Sequence, residues 1–294
     1  MTLHQINNLK PGRLRALTGM TVKALSELLA RTVPELEQRR AQATQRRPHR
    51  QRALGGGAKR KLSTTQEVLL VLIYLRHNVA HEVVGHLFSV SADTSENLFH
   101  EIVPVVRELF PANRFEAERR LRGGGASWQV EAIDRVLIDS FETAIPRPSV
   151  NERQARVYSG KKKRHTLKTQ LITDRHGEVL EVSAGHRGPA ADKKIYEASA
   201  VAAQFLQAAK QADLAYLGTA GVETPHRKPR GGQLSEPQRA ENRRLASVRV
   251  HVEHGIRRVK GFHIVRENYR HAIGLFPMVV SAVVGLVHLN RIFV

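Results

Sequence analysis

Apolar and polar positions alternate with two different periods along this chain, and the change of period divides it. In the first part apolar residues recur at helical spacing. TVKALSELLARTV carries Leu25, Leu28 and Leu29 behind Thr21, whose hydroxyl suits an N-cap, and this helix is expected to stop near Pro34. Leu62 to Leu109 predicts a compact helical unit. Ser63, Thr64 and Thr65 offer caps for a helix through Val68, Leu69, Leu72, Ile73 and Leu75; a second helix spans His81 to Phe88; Ser89-Val90-Ser91 breaks it; and a third begins near Ala92 with Leu98, Ile102 and Val105.

From about Val130 the period shortens. Val136-Leu137-Ile138 reads as a short buried strand ending in Asp139. Thr166–Thr173 alternates, Asp174-Arg175-His176-Gly177 signals a turn, and Val179–Ser183 returns as the second arm of a hairpin. There follow a helix from about Ala191 to Ala209, a short strand from Asp213 to Leu217, and a long helix in LSEPQRAENRRLASVRVHVEHGIRRVKGF. On that helix Leu245, Val248, Val252, Val259 and Phe262 form one stripe that must pack on the sheet. The apolar end, Met278 to Val294, is short for a membrane span and contains His288, Asn290 and Arg291, so a buried helix on the sheet is expected there.

These patterns predict an α/β fold, a mixed sheet flanked by helices and preceded by an all-α unit. The expected boundaries are an N-terminal helical segment at 1–38, a basic arm or linker at 39–61, a helix-turn-helix domain at 62–122 and a sheet domain at 126–294, with a glycine joint at Gly123-Gly124-Gly125. In the helix-turn-helix the third helix would offer its first turns to a major groove, with Ser91, Asp93, Thr94, Ser95 and Asn97 as the reading face.

Charge adds a partner. The chain has 47 Lys+Arg against 27 Asp+Glu, a net charge of +20 and a pI near 11.0, which favours a polyanion, nucleic acid foremost. Arg39 to Lys61 holds nine cations and no acid. It reads either as a solvated linker or as an arm that meets phosphate through Arg46, Arg47, Lys59, Arg60 and Lys61. Without cysteine the chain can form neither disulfides nor thiolate metal sites, so any metal must be held by oxygen or imidazole. The first residues lack the apolar core of a signal peptide, and a cytoplasmic, nucleoid-associated protein with no membrane partner is expected.

Two motifs resemble known sites and fail on spacing. His81 and His86 in HEVVGH stand i and i+5, where a zinc-protease helix needs i and i+4; GGGAK lacks the spacing of a phosphate-binding loop. The fifteen histidines, His165, His251 and His254 included, offer no ligand pair of defensible spacing.

Asp139 is the residue that demands chemistry. It ends a buried strand, and the sequence after it runs through Pro146-Arg147-Pro148 to Lys161-Lys162-Lys163-Arg164-His165. A turn-capping carboxylate is one reading; an acid beside excess cation, suited to metal and phosphate, is the other. LIDSFETAIPRP followed by QARVYSGKKKRHTLKTQ resembles the first catalytic block of DDE-type insertion-sequence transposases, close to bacterial insertion-sequence family five. The resemblance extends over nearly the whole chain.

The resemblance implies an RNase H-like core in which Asp, Asp and Glu hold divalent metal. Carried onto this chain, the second acid is Asp213, followed by Ala215 where relatives have Gly. The third is Glu253, within Arg249-x3-Glu253-x6-Lys260. Glu253 sits about 100° around the helix from Val252, at the edge of the apolar stripe. Arg249, Arg257 and Lys260 share its face, which by itself also describes a solvated salt-bridge ladder. Asp192 falls where relatives carry a His-Asp pair and reads as an auxiliary ligand or a helix N-cap.

The implied activity is cleavage of double-stranded DNA at element ends and transfer of 3′-OH ends to target DNA. It would use Mg²⁺ or Mn²⁺, two ions about 4 Å apart, held by Asp139, Asp213 and Glu253. Arg249, Lys260, Arg257, Lys161, Lys162 and Lys163 would hold phosphates, and a homodimer or larger assembly would synapse the two ends. The alternative is a DNA-binding regulator or domesticated nuclease-like protein whose core only scaffolds.

Overall fold

A computed structural model describes residues 8–45, 60–121 and 133–293. In the helical part, α1 (Pro11–Thr18) ends at Gly19, whose φ of 76° needs a residue without a Cβ. α2 (Val22–Gln45) begins as expected, with the Thr21 hydroxyl accepting the Ala24 N–H at 3.2 Å. It does not stop at Pro34. The proline forfeits one backbone hydrogen bond, but Leu28 and Leu36 are buried on either side of it. Beyond it Arg39 pairs with Glu35 and Glu108, and Arg40 with Glu67 and Glu101. The first residues of the expected arm are therefore helix, held by acids of other helices; 46–59 lie outside the described residues.

α3 (Thr64–His77) starts in a capping box formed by Ser63 and Gln66. α4 (His81–Phe88) ends at Ser89, and α5 (Ala92–Leu109) is capped by the Ser91 hydroxyl, which accepts the Thr94 N–H. α6 (Arg114–Leu121) follows, and the glycine joint at 123–125 lies outside the described residues.

The sheet begins with β1 (Arg135–Ala144), which runs through Asp139 and not merely up to it. After α7 (Asn151–Val157) and β2 (Tyr158–Ser159), the expected hairpin forms as β3 (Arg164–Asp174) and β4 (Val179–Arg187). The single helix expected over 191–209 is instead two short ones, α8 (Asp192–Glu197) and α9 (Val201–Gln204), followed by β5 (Ala209–Gln211). The strand expected at 213–217 is a 3₁₀ turn, Leu214–Tyr216, ahead of β6 (Val222–Glu223). The order is β2-β3-β1-β5-β6 with β4 also on β3. β1 is antiparallel to β3 and β3 to β4, while β1–β5 and β5–β6 are parallel. This mixed sheet flanked by helices is the arrangement expected of an RNase H-like core.

The long helix α10 (Glu236–Lys260) is capped by Ser235, and its expected stripe is inward, with Leu245, Val252 and Val259 buried. α11 (His263–Arg266) leads to α12 (Phe276–Ile292). The stretch Ile273–Ile292 is long and apolar enough to cross a membrane, yet it packs against α5 and β4, with eleven residues of α12 buried. Its polar residues have structural work. The Asn290 side chain accepts from Thr21 N–H at 2.9 Å and donates to Gly19 carbonyl at 2.8 Å, tying the last helix to the start of α2. One hydrophobic core runs from the helical domain through α12 to one sheet face, where Phe141 and Leu171 lie. The other face, with Val136, Ile138 and Ile172, packs on Tyr196, Phe205 and Tyr216. Glu178 locks the assembly together, meeting Arg114, Arg258 and Arg291 from three helices.

Candidate active site

Strand register brings the first two acids together. β1 and β5 are parallel with Leu137 opposite Gln211, so two residues further along each chain Asp139 and Asp213 come level. β5 ends at Gln211, and Asp213 stands on the turn beyond it, its carboxylate accepting the Ala215 N–H at 2.9 Å. Asp139 accepts its own neighbour's Ser140 N–H at 2.7 Å, and Arg249 reaches it at 3.9 Å. Burial pushes the Asp139 carboxyl up from 3.8 to about 6, helped by the charges of Asp213 and Asp192 and opposed by the Ser140 N–H and Arg249.

Alternation along β1 points Ser140 to the other sheet face, and there it donates to Asp192. Asp192 is not the N-cap of α8; Ala191 takes that place, without a side-chain cap. Asp192 is held instead by Lys168, buried on β3 with its Nζ 3.2 Å from the carboxylate and 2.5 Å from the Ala190 carbonyl. Next to them Gln170 donates to the Tyr216 hydroxyl at 3.0 Å. Burial pushes the Tyr216 phenol up, and Asp192, Asp139 and Asp213 add to the shift, so all three acids act on one point. Ser140, Lys168, Gln170 and Tyr216 were not anticipated. Their signal was present in β3, where polar Lys168 and Gln170 share one face of the alternating strand.

α10 approaches β3 through Gly255, where a Cβ would come within 2.9 Å of Thr173 Cγ2 and 3.0 Å of the Gly177 carbonyl. This contact sets the helix beside the acids. Arg249 is turned to Asp139, and Lys260 lies 4.9 Å over the Phe141 ring, two residues along β1 from Asp139. Burial lowers Lys260, and Lys162 from the β2–β3 turn lowers it further, so the Lys161-Lys162-Lys163 turn adjoins this edge of the site. Glu253 is exposed on the same helix between Arg249 and Lys260, and among the described residues it makes no ion pair. The charges that act on Asp139 are Asp213, Arg249 and Asp192, with Glu253 not among them. Arg257 is exposed. The salt-bridge ladder is therefore absent from this stretch of the described helix.

In the helix-turn-helix, Thr94 and Asn97 line a cavity of about 390 Å³ together with Arg60 and Lys61, so residues 60–61 and the first turns of α5 share one cleft. Ser95 points the other way. It is fully buried, its hydroxyl 2.9 Å from His81 Nδ1, because the first turn of α5 packs that side on α4. Arg46, Arg47 and Lys59 lie outside the described residues. A second cavity of about 390 Å³ is lined by Arg147, Arg153, Arg156 and Arg187 around Pro146 and Pro148.

Residues 138–288 match the family described as DDE superfamily endonuclease, and residues 60–112 match the helix-turn-helix of DDE superfamily endonuclease. Two curated relatives carry the names of transposases for insertion sequence elements. That of element IS702 from Microchaete diplosiphon is 29% identical over 237 residues, 78% of this chain and 82% of the relative. That of element IS112 from Streptomyces albus G is 27% identical over 220 residues, 73% of this chain and 76% of the relative. No solved structure matches the chain.

Proposed function

This chain belongs to the DDE superfamily of endonucleases, and from that premise we propose that it is an insertion-sequence transposase of the family-five type, cutting double-stranded DNA at element ends and transferring the 3′-OH ends to target DNA. The observation that supports the reading is that Asp139 on β1 and Asp213 just beyond the parallel strand β5 lie close enough to act on each other, Asp139 being pushed up to about 6 by burial first and by the Asp213 charge as well.

The donor set fits hard divalent cations. Asp139 and Asp213 offer only oxygen, Asp139 is ionised against the cost of burial, and Arg249 at 3.9 Å compensates it weakly. Mg²⁺ or Mn²⁺ held there would polarise the phosphoryl group and favour the ionised nucleophile. Glu253 would complete the set from α10. Arg249 and Lys260, which flank the acids, would hold the phosphate on either side of the scissile bond, with Arg257 and Lys161–Lys163 along the same edge. Lys168 and Ser140 fix Asp192, whose charge adds a minor part to the burial and the Asp213 charge that raise Asp139. Thr94, Asn97, Arg60 and Lys61 would bind the terminal repeat, and two ends require at least a dimer.

The test is incubation of the full-length protein with DNA carrying the ends of its element, with and without Mg²⁺. Asp139→Asn, Asp213→Asn and Glu253→Gln should each bind end DNA as well as the parent and lose nicking by several orders of magnitude. A parent that binds ends but never nicks them with Mg²⁺ or Mn²⁺, or amide variants that nick normally, would leave a DNA-binding regulator in its place.

A further inference from the structure

We propose a second metal site, for a borderline transition ion of the Zn²⁺ class, formed by Glu96 and His100 of α5 and His271 of the segment between α11 and α12. Their ligand atoms all lie within 4.8 Å of one another. Glu96 and His100 are i and i+4, the spacing that puts two ligands on one helix face. The third comes from 171 residues further on, which is why no spacing in the sequence disclosed it.

His271 is held as a ligand needs to be. Its ring stacks on Phe99 at 4.0 Å and 6°, and its Nε2 lies 2.7 Å from the Tyr74 hydroxyl, leaving Nδ1 for a ligand. Tyr74 is in turn fixed by stacking on His81 at 4.1 Å. A metal-bound imidazole is oriented by a second hydrogen bond of this kind. The backbone on either side is anchored. Tyr269 N–H donates to the Ala144 carbonyl at 2.8 Å, and the Arg270 guanidinium donates to the Asn78 carbonyl at 2.6 Å. The other two ligands are free to close in. The Glu96 and His100 side chains are 54% and 45% exposed, and the one ion pair between them is long, at 3.9 Å. Tetrahedral Zn²⁺ with ligands at about 2.1 Å needs ligand atoms roughly 3.4 Å apart, an adjustment that rotation of two surface side chains supplies.

Two imidazoles and one carboxylate suit Zn²⁺, Co²⁺ or Ni²⁺ and not Mg²⁺. The site is therefore chemically distinct from the all-oxygen acids around Asp139. A bound ion would clamp α5 to the segment that leads into α12, and would cancel the Glu96 charge beside Asn97 on the reading helix.

The test is titration of chelator-stripped, full-length protein with Co²⁺ in excess Mg²⁺, read by the visible d–d bands, followed by displacement with Zn²⁺. One equivalent should bind. Glu96→Gln and His100→Ala, both at exposed positions, should melt like the parent without metal and weaken Co²⁺ by more than about a hundredfold. Tyr74→Phe, which keeps the ring but frees His271, should weaken it by about tenfold. Absence of Co²⁺ bands in the parent, or bands of unchanged affinity in Glu96→Gln and His100→Ala, would overturn the proposal.

Discussion

Replacing Asp139 by Asn should stabilise the metal-free protein, because this carboxylate is ionised at a cost to the fold. An acid whose folded-state value is raised binds its proton more tightly in the folded protein, so stability is highest below the unfolded value, 3.8, and is lost as pH rises to about 6. The gap amounts to a loss on the order of 3 kcal/mol at pH 7. The side chain is 19% exposed, so solvent screens this only in part. Asparagine keeps an oxygen for the Ser140 N–H and removes the charge opposed by Asp213 and Asp192; the lost Arg249 contact, at 3.9 Å, offsets little. Thermal melts in chelator at pH 7 should show Asp139→Asn above the parent by roughly 5 °C. The gain should fall to about half near pH 5 and nearly vanish at pH 4. Added Mg²⁺ should raise the parent more than the variant, since the variant lacks one of the three carboxylates proposed to hold it. A variant no more stable than the parent in chelator at pH 7 would refute the reasoning.

Other consequences follow from the packing. Burial alone would raise Glu178, but Arg291, Arg258 and Arg114 outweigh it and hold the carboxyl below its usual range; Glu178→Ala leaves these guanidiniums facing one another and should cost about 3–5 kcal/mol in urea denaturation. Gly285→Ala puts a Cβ 2.0 Å from the Phe110 carbonyl oxygen, a backbone atom that cannot swing away, and should destabilise by roughly 3 kcal/mol in the same assay. Arg153→Gln with Arg156→Gln, both exposed in the second cavity, should leave the melting temperature unchanged while lowering the slope of log K against log salt for DNA by about 2. An unchanged slope would remove that cavity from the DNA path.

What the chain determined by itself is what depends on neighbours in sequence. Thr21, Ser63 and Ser91 cap helices because the groups they satisfy lie two or three residues away, and the hairpin around Asp174–Gly177 is written in period and turn chemistry. Asp139 could be singled out as an acid at the end of an apolar run, whereas Asp213 came only from the resemblance of the chain to DDE-type transposases. What only tertiary structure decided are the outcomes set by distant partners. α2 passes Pro34 because Glu101 and Glu67 hold Arg40 and the core holds Leu36, and a local rule for proline has no term for either. β5, three residues long, is a strand because it pairs with β1, and Asp213 leaves it on a turn of its own making. Ser95 was turned inward by α4 and Asp192 engaged by Lys168. The meeting of Glu96, His100 and His271 is the extreme case, since 171 residues separate His100 from His271 and the three are brought together where the C-terminal part of the chain packs back on α5. Local hydrogen bonding and periodicity are properties of a short window of residues; burial and charge neutralisation are properties of whatever the fold brings near.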